Sequence, residues 1–167
     1  MKHRLLMLAA TLLALAGLQA GCAAVDKTEQ GFATLVRAED LAVAERQVRN
    51  HESDFARSMA ERNFEAFQTY LSEEAIFFAG REGAEVLRGK AAVATYWKRY
   101  YEAGQAPFAW EPERVQVLDG GTLALSTGPV FDPNGRRIAT FTTIWRKEGP
   151  ARWRVVFDKG CACGERR

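Results

Sequence analysis

TLALSTGPVFDPNGRRIATFTTIWRKEGPARWRVVFD, residues 122–158, decides the fold. Three apolar, β-branched and aromatic runs alternate with turn residues, so they read as strands in hairpin succession: Thr122 to Phe131, Arg136 to Lys147 and Trp153 to Asp158. Asp132-Pro133-Asn134-Gly135 is the clearest turn in the chain, and Glu148-Gly149-Pro150 is the next. Working upstream, Phe108 to Leu118 reads as another strand, entered late because of Pro112. Asp119-Gly120-Gly121 joins it to the quoted stretch as a hairpin turn. Four strands joined by three tight turns predict an antiparallel meander.

The N-terminal half has a different period. From Leu41, the residues Leu41, Ala44, Val48, His51, Phe55 and Met59 recur at steps of three or four, which predicts a helix to about Arg62. Glu45, Arg46, Arg49, Asn50, Glu52 and Arg57 fall largely off that stripe. Asn63 is placed to cap a short second helix with Glu65 in its first turn, and Phe64, Phe67, Tyr70 and Leu71 supply its apolar face. Glu74 to Ala79 reads as a strand and Glu85 to Arg88 as a second short one. After Gly89 a third helix carries Ala92, Val93, Tyr96, Trp97, Tyr100 and Tyr101 on one broad face. Helices first and a meander second make the class α+β.

The chain has 167 residues, 47% hydrophobic and 26% charged, which excludes disordered, collagenous and coiled-coil classes. Its net charge of +2 comes from Lys2 and Arg4; the rest balances, so nucleic acid is not expected as a partner. Only His3 and His51 are histidines, too few for most catalytic zinc sites. No metal and no cofactor is expected.

Residues 1–21 read as a signal peptide: Lys2, His3 and Arg4, then an apolar run from Leu5 to Ala16, then small residues. A retained membrane helix is the alternative, barely long enough at residues 5–25. Leu18-Gln19-Ala20-Gly21-Cys22 resembles the bacterial lipoprotein signal, which implies lipidation at Cys22. Gln19 departs from the usual aliphatic position, so ordinary cleavage after Ala20 stays open. Ala23 follows the cysteine instead of Asp, which by the same resemblance implies the outer membrane, facing the periplasm, with the lipid anchor as the sole membrane contact. Residues 22–40 read as a tether, 41–160 as the domain and 161–167 as a tail with Cys161 and Cys163. In an oxidising compartment those two are expected as a disulfide, with idle thiols or a soft-metal pair as alternatives.

Several pieces resemble a known family in order: Phe55-Ala56-Arg57, Ala66-Phe67, Leu71-Ser72-Glu73-Glu74-Ala75, Arg88-Gly89-Lys90-Ala91-Ala92 and Trp97, then Trp110-Glu111-Pro112, Gly128, Thr143-Ile144-Trp145-Arg146, Trp153-Arg154-Val155-Val156 and Asp158-Lys159-Gly160. The set, over about residues 45–160, resembles the nuclear-transport-factor-2-like superfamily and its DUF4440 and SnoaL-like group. The resemblance implies a cone of curved, mostly antiparallel sheet around three helices, and it leaves function open. Ketosteroid isomerases of that superfamily keep a general base a few residues beyond an acidic-acidic-Ala sequence. Counting on from Glu73-Glu74-Ala75 puts Ala79 there, and alanine moves no proton.

His51 is the sole histidine for a Ser-His-Asp set, and no nucleophile elbow accompanies it, so a core or wall histidine is the better reading. Asp158 ends the last strand, with Val156 and Arg154 expected on its face and Trp153, Val155 and Phe157 on the other. Beside apolar sheet residues its pKa would rise, making it the candidate acid or base. The competing reading is a strand-end residue that bonds backbone amides or pairs with Arg57 or Arg154. Arg81, Arg88, Lys98 and Arg99, interspersed with Glu82 and Glu85, read as a solvated face. Trp97, Tyr100, Tyr101, Trp110, Thr142, Trp145 and Asp158 are the expected lining of a pocket for a small, largely apolar molecule. A hydrolase or isomerase using Asp158 is the second reading. A non-catalytic dimeric interaction module is the third, because strands Leu123–Val130 and Ile138–Trp145 alternate poorly and suit a homodimer through the outer face of the meander.

Overall fold

The computed structural model describes residues 16–80 and 83–162, with side chains from residue 37 onward. The chain divides into two units, residues 1–40 and 41–167. In the first, residues 16–40 are helical, where the sequence predicts the end of a leader and a tether. Helix α1 (Ala16–Ala60) therefore starts well before Leu41. Among the described residues no helix is long and apolar enough to cross a membrane.

The stretch of α1 from residue 41 buries Ala44, Val48, Glu52, Phe55 and Met59. The stripe expected from the sequence is thus corrected at one position: Glu52 is fully buried, whereas His51 is only half-buried. Asn63 Oδ1 accepts from the Ala66 amide at 2.9 Å and starts α2 (Phe64–Thr69). Leu71 is not on that helix; it opens strand β1 (Leu71–Ala79). β2 (Glu85–Arg88) and α3 (Lys90–Glu102) follow, and α3 buries Val93, Ala94 and Tyr101 while Ala92 is exposed.

Pro112 divides the single strand expected over Phe108–Leu118 into β3 (Ala109–Trp110) and β4 (Arg114–Val117). Both pieces pair with β5 (Leu123–Phe131). Between them the chain passes so close to Gly128 that a Cβ there would collide with the Glu111 carbonyl and the Glu113 amide. β6 (Arg137–Gly149) and β7 (Arg152–Ala162) complete the meander. The sheet order is β2-β1-β7-β6-β5-β3, with β4 also on β5. β1 with β7 is the parallel pair and the other pairings are antiparallel. The helices pack on the inner face of this curved, open sheet, so the class is α+β as expected.

β7 carries a bulge. Val155 pairs with Trp145 and Phe157 with Ile144, leaving Val156 as an extra residue. An extra residue shifts the alternation by one and re-aims every side chain beyond it. Asp158 consequently joins Trp153 and Val155 on the inner face, while Phe157 turns out and is 44% exposed. That reverses the face assignment read from simple alternation.

Candidate functional site

Inside the sheet, one register row holds Asp158 on β7, Thr143 on β6 and Ser126 on β5. Three polar side chains in line on a core face need partners, because burying an unsatisfied polar group costs about 1–3 kcal/mol. Thr143 Oγ1 donates to Asp158 Oδ2 at 2.9 Å. Ser126 Oγ is buried and makes no hydrogen bond of ordinary geometry. Glu52 belongs to the same buried polar group. Trp110 Nε1 donates to its Oε1 at 2.9 Å and Trp145 Nε1 to its Oε2 at 2.8 Å.

Burial pushes the Glu52 carboxyl up to about 7, against the two indole donors and, more weakly, the hydroxyls of Ser126 and Thr143, which pull it down. Burial likewise pushes Asp158 up to about 7; the Thr143 hydroxyl opposes this and the nearby Glu52 charge adds to it. Each carboxyl makes the other harder to ionise. No lysine, arginine or histidine among the described residues forms an ion pair with either.

A cavity of about 250 Å³ opens beside this group. Nine of its sixteen lining residues are aromatic, and Asp158 is the one carboxyl among them. Trp97 is the hub of the wall: it stacks on Phe67 at 5.1 Å between centroids and meets Tyr100, Phe108 and Trp110 edge-on at 5.6, 5.9 and 6.4 Å. On α3, Trp97 and Tyr100 share a face by their spacing of three. Near the rim, Tyr96 Oη accepts from the Gly80 amide at 3.2 Å, and the Arg99 guanidinium lies 3.6 Å from the Tyr96 ring centroid. Ala79 also lines the cavity, an apolar surface where the isomerase resemblance places a base.

Of the residues expected to line a pocket, Trp97, Tyr100, Trp110 and Asp158 meet around this cavity. Tyr101, Thr142 and Trp145 do not. Tyr101 is buried with its hydroxyl 3.1 Å from Ser58 Oγ, because position 101 points between the helices. Thr142 is on the outer face beside Thr127, out of phase with Thr143. Trp145 is fully buried beneath the cavity, bound to Glu52. Asp158 pairs with Thr143, and neither Arg57 nor Arg154 is its partner; Arg57 is bridged to Asp54. His51 donates from Nδ1 to the Gln47 carbonyl at 2.8 Å and packs edge-on to Tyr70 and Trp145. Cys161 is exposed near the end of β7, and Cys163 lies outside the described residues. Arg81 and Glu82 lie outside them too. Among the described residues, no group of three or more His, Cys, Asp or Glu is placed to hold a metal.

Glu52 is the residue that sequence reading missed. Its signal was its position, four residues after Val48 and three before Phe55, on the buried side of α1.

Solved structures share the architecture. An NTF2-like protein from Pseudomonas putida KT2440 is 18% identical with a TM-score of 0.61, covering 75% of this chain and 90% of its own. A cystatin-like fold protein from Burkholderia xenovorans LB400 is 17% identical with a TM-score of 0.59, over 73% of this chain and 93% of its own. An NTF2-like superfamily protein from Salmonella enterica serovar Typhimurium LT2 is 15% identical with a TM-score of 0.54, over 75% and 95%. These likenesses speak for the fold alone. A search of curated proteins finds no match. The fold is thus NTF2-like, and the SnoaL-like domain family matches residues 48–159, which takes in Glu52, Asp158, the aromatic wall and the sheet up to the last residues of β7, so the chain belongs to the SnoaL-like domain family.

Proposed function

We propose that residues 41–160 bind a small, largely apolar molecule in the aromatic cavity. The observation that carries this reading is the cavity itself: about 250 Å³, nine aromatic walls and one carboxyl. Apolar enclosure with a single polar group is the usual composition of a ligand pocket. Native mass spectrometry of the purified full chain tests it. A co-purified mass, lost in Trp97→Ala, supports the reading; a ligand-free spectrum, together with no binding from a library of small apolar compounds, overturns it.

A second reading is favoured by one observation, the Asp158 carboxyl held near 7 by burial. A carboxyl poised there exchanges protons efficiently at neutral pH. On this reading the domain is an acid–base enzyme, a hydrolase or isomerase, with Asp158 as the proton-transferring group. Turnover that vanishes in Asp158→Asn with ligand binding retained would establish it.

The cell-biological reading is a lipoprotein anchored at Cys22 on the outer membrane and facing the periplasm. It rests on the leader residues quoted above. Palmitate label entering the wild type and not Cys22→Ala is the expected result, and equal labelling of both rejects it. Homodimerisation through the outer sheet face is proposed on the strength of Phe157, exposed beside Ile144. Sedimentation showing monomer alone at high concentration rejects it.

A further inference from the structure

The cavity has an electrostatic asymmetry that the binding of an apolar body leaves unused. Two carboxyls, the fully buried Glu52 and the half-buried Asp158, belong to one polar group, and no cationic side chain among the described residues pairs with either. Glu52 is satisfied by two indoles. Asp158 is satisfied at Oδ2 by Thr143. Its Oδ1 makes no hydrogen bond among the described residues, and the residue lies on the cavity wall. Opposite are ring systems whose negative π faces attract cations. The titratable groups near Asp158 are Glu52 from α1, the neutral phenols of Tyr96 and Tyr100 from α3 on the same cavity wall, and Lys159 next along β7. Lys159 alternates to the other side of the strand; it is exposed, with Nζ 5.9 Å from the Phe78 ring centroid. Arg99 is engaged over Tyr96.

We propose that the cavity takes an organic cation: an alkyl or aryl amine or quaternary ammonium whose nitrogen faces Asp158 and whose carbons lie on Trp97, Trp110 and their neighbouring rings. This rests on the pocket reading above and narrows it to a ligand class. The ligand supplies the positive charge that the two acids lack. A neutral ligand of equal shape leaves Asp158 either protonated or buried as an uncompensated charge. Cation binding therefore couples to proton release from the acid pair, and affinity falls as pH drops through the range where Asp158 is protonated.

The test uses the full chain, with benzyltrimethylammonium and its uncharged isostere neopentylbenzene as probes. Both are titrated against the fluorescence of the wall tryptophans at about pH 8 and about pH 5.5, on either side of the Asp158 titration. The expected result is that the ammonium binds at least about tenfold tighter than the isostere at the higher pH and loses that advantage at the lower. Asp158→Asn, which keeps an oxygen for Thr143, should bind both probes alike at either pH. The wild-type pH comparison stands by itself if that variant does not fold. If the isostere binds as tightly as the ammonium at the higher pH, the cation class is overturned and the apolar pocket survives. If neither probe binds, the cation class is overturned as well, and the pocket reading stands or falls on its own mass-spectrometric and library test.

Discussion

Trp145 on β6 gives its indole N–H to Glu52 on α1 at 2.8 Å, joining two residues 93 apart in sequence. With Trp110 donating to the other oxygen, helix and sheet are pinned together at a carboxyl that reaches no solvent. Trp145→Phe deletes the donor and also one ring of a fully buried indole. It should cost more than the roughly 1–3 kcal/mol of the half-satisfied, charge-capable acceptor alone in urea unfolding, because a cavity replaces the missing ring. It should also move the Glu52 titration further upward, since a donor that pulled it down is gone.

The pH dependence of stability has a defined sign. Glu52 and Asp158 have folded pKa values raised above the ordinary 4.5 and 3.8 to about 7. The folded state then holds more protons than the unfolded one between those limits. Stability is fully present below the unfolded values and is lost as pH rises toward 7. For Glu52 the loss is on the order of 3 kcal/mol. Urea midpoints measured from acid to neutral pH should fall, and Glu52→Gln should flatten the slope. A midpoint that rises over this range would contradict the buried-acid picture.

Phe55 and Phe67 stack at 5.2 Å with 18° between ring planes, and both are buried. Each Phe→Ala should cost about 3–5 kcal/mol. Because the rings touch, the double variant should cost less than the two singles combined, by about 1 kcal/mol. Strict additivity in chemical denaturation would show that the two helices do not meet there.

Gly128→Ala introduces a methyl where the chain between β3 and β4 passes over β5. The obstacle is backbone, which cannot rotate aside. A loss of about 2–3 kcal/mol is expected, together with weakened protection of the Glu113 amide, which donates to the Thr127 carbonyl at 3.0 Å. Hydrogen exchange reads the second effect directly.

The meander was legible because its turns carry Asp-Gly-Gly, Asp-Pro-Asn-Gly and Glu-Gly-Pro between β-branched runs. Local chemistry of that kind survives in any tertiary context. The aromatic wall was legible in part, from helical spacing at Trp97 and Tyr100. Tyr101 and Thr142 were misplaced because neighbouring positions in a helix or strand face differently, and sequence alone does not say which neighbour turns inward. Asp158 was singled out as a carboxyl beside apolar sheet residues and assigned to the wrong face, since no residue type marks Val156 as the extra one in a bulge. Glu52 was hidden by its own polarity: a charged residue on a helix reads as solvent-facing until the two indoles that receive it, 58 and 93 residues downstream, are in place.

The bulge at Val156 means that the acidity of the cavity depends on strand pairing as much as on residue identity. Were β7 to run on beyond Val155 in plain alternation against β6, with no change of any side chain, Val156 would stand opposite Ile144, Phe157 would turn inward and Asp158 outward. The same sheet would then enclose a chamber without its wall carboxyl, and an acid would stand on the outer face beside Thr142. One unpaired residue thus decides whether the chamber has an acid in its wall.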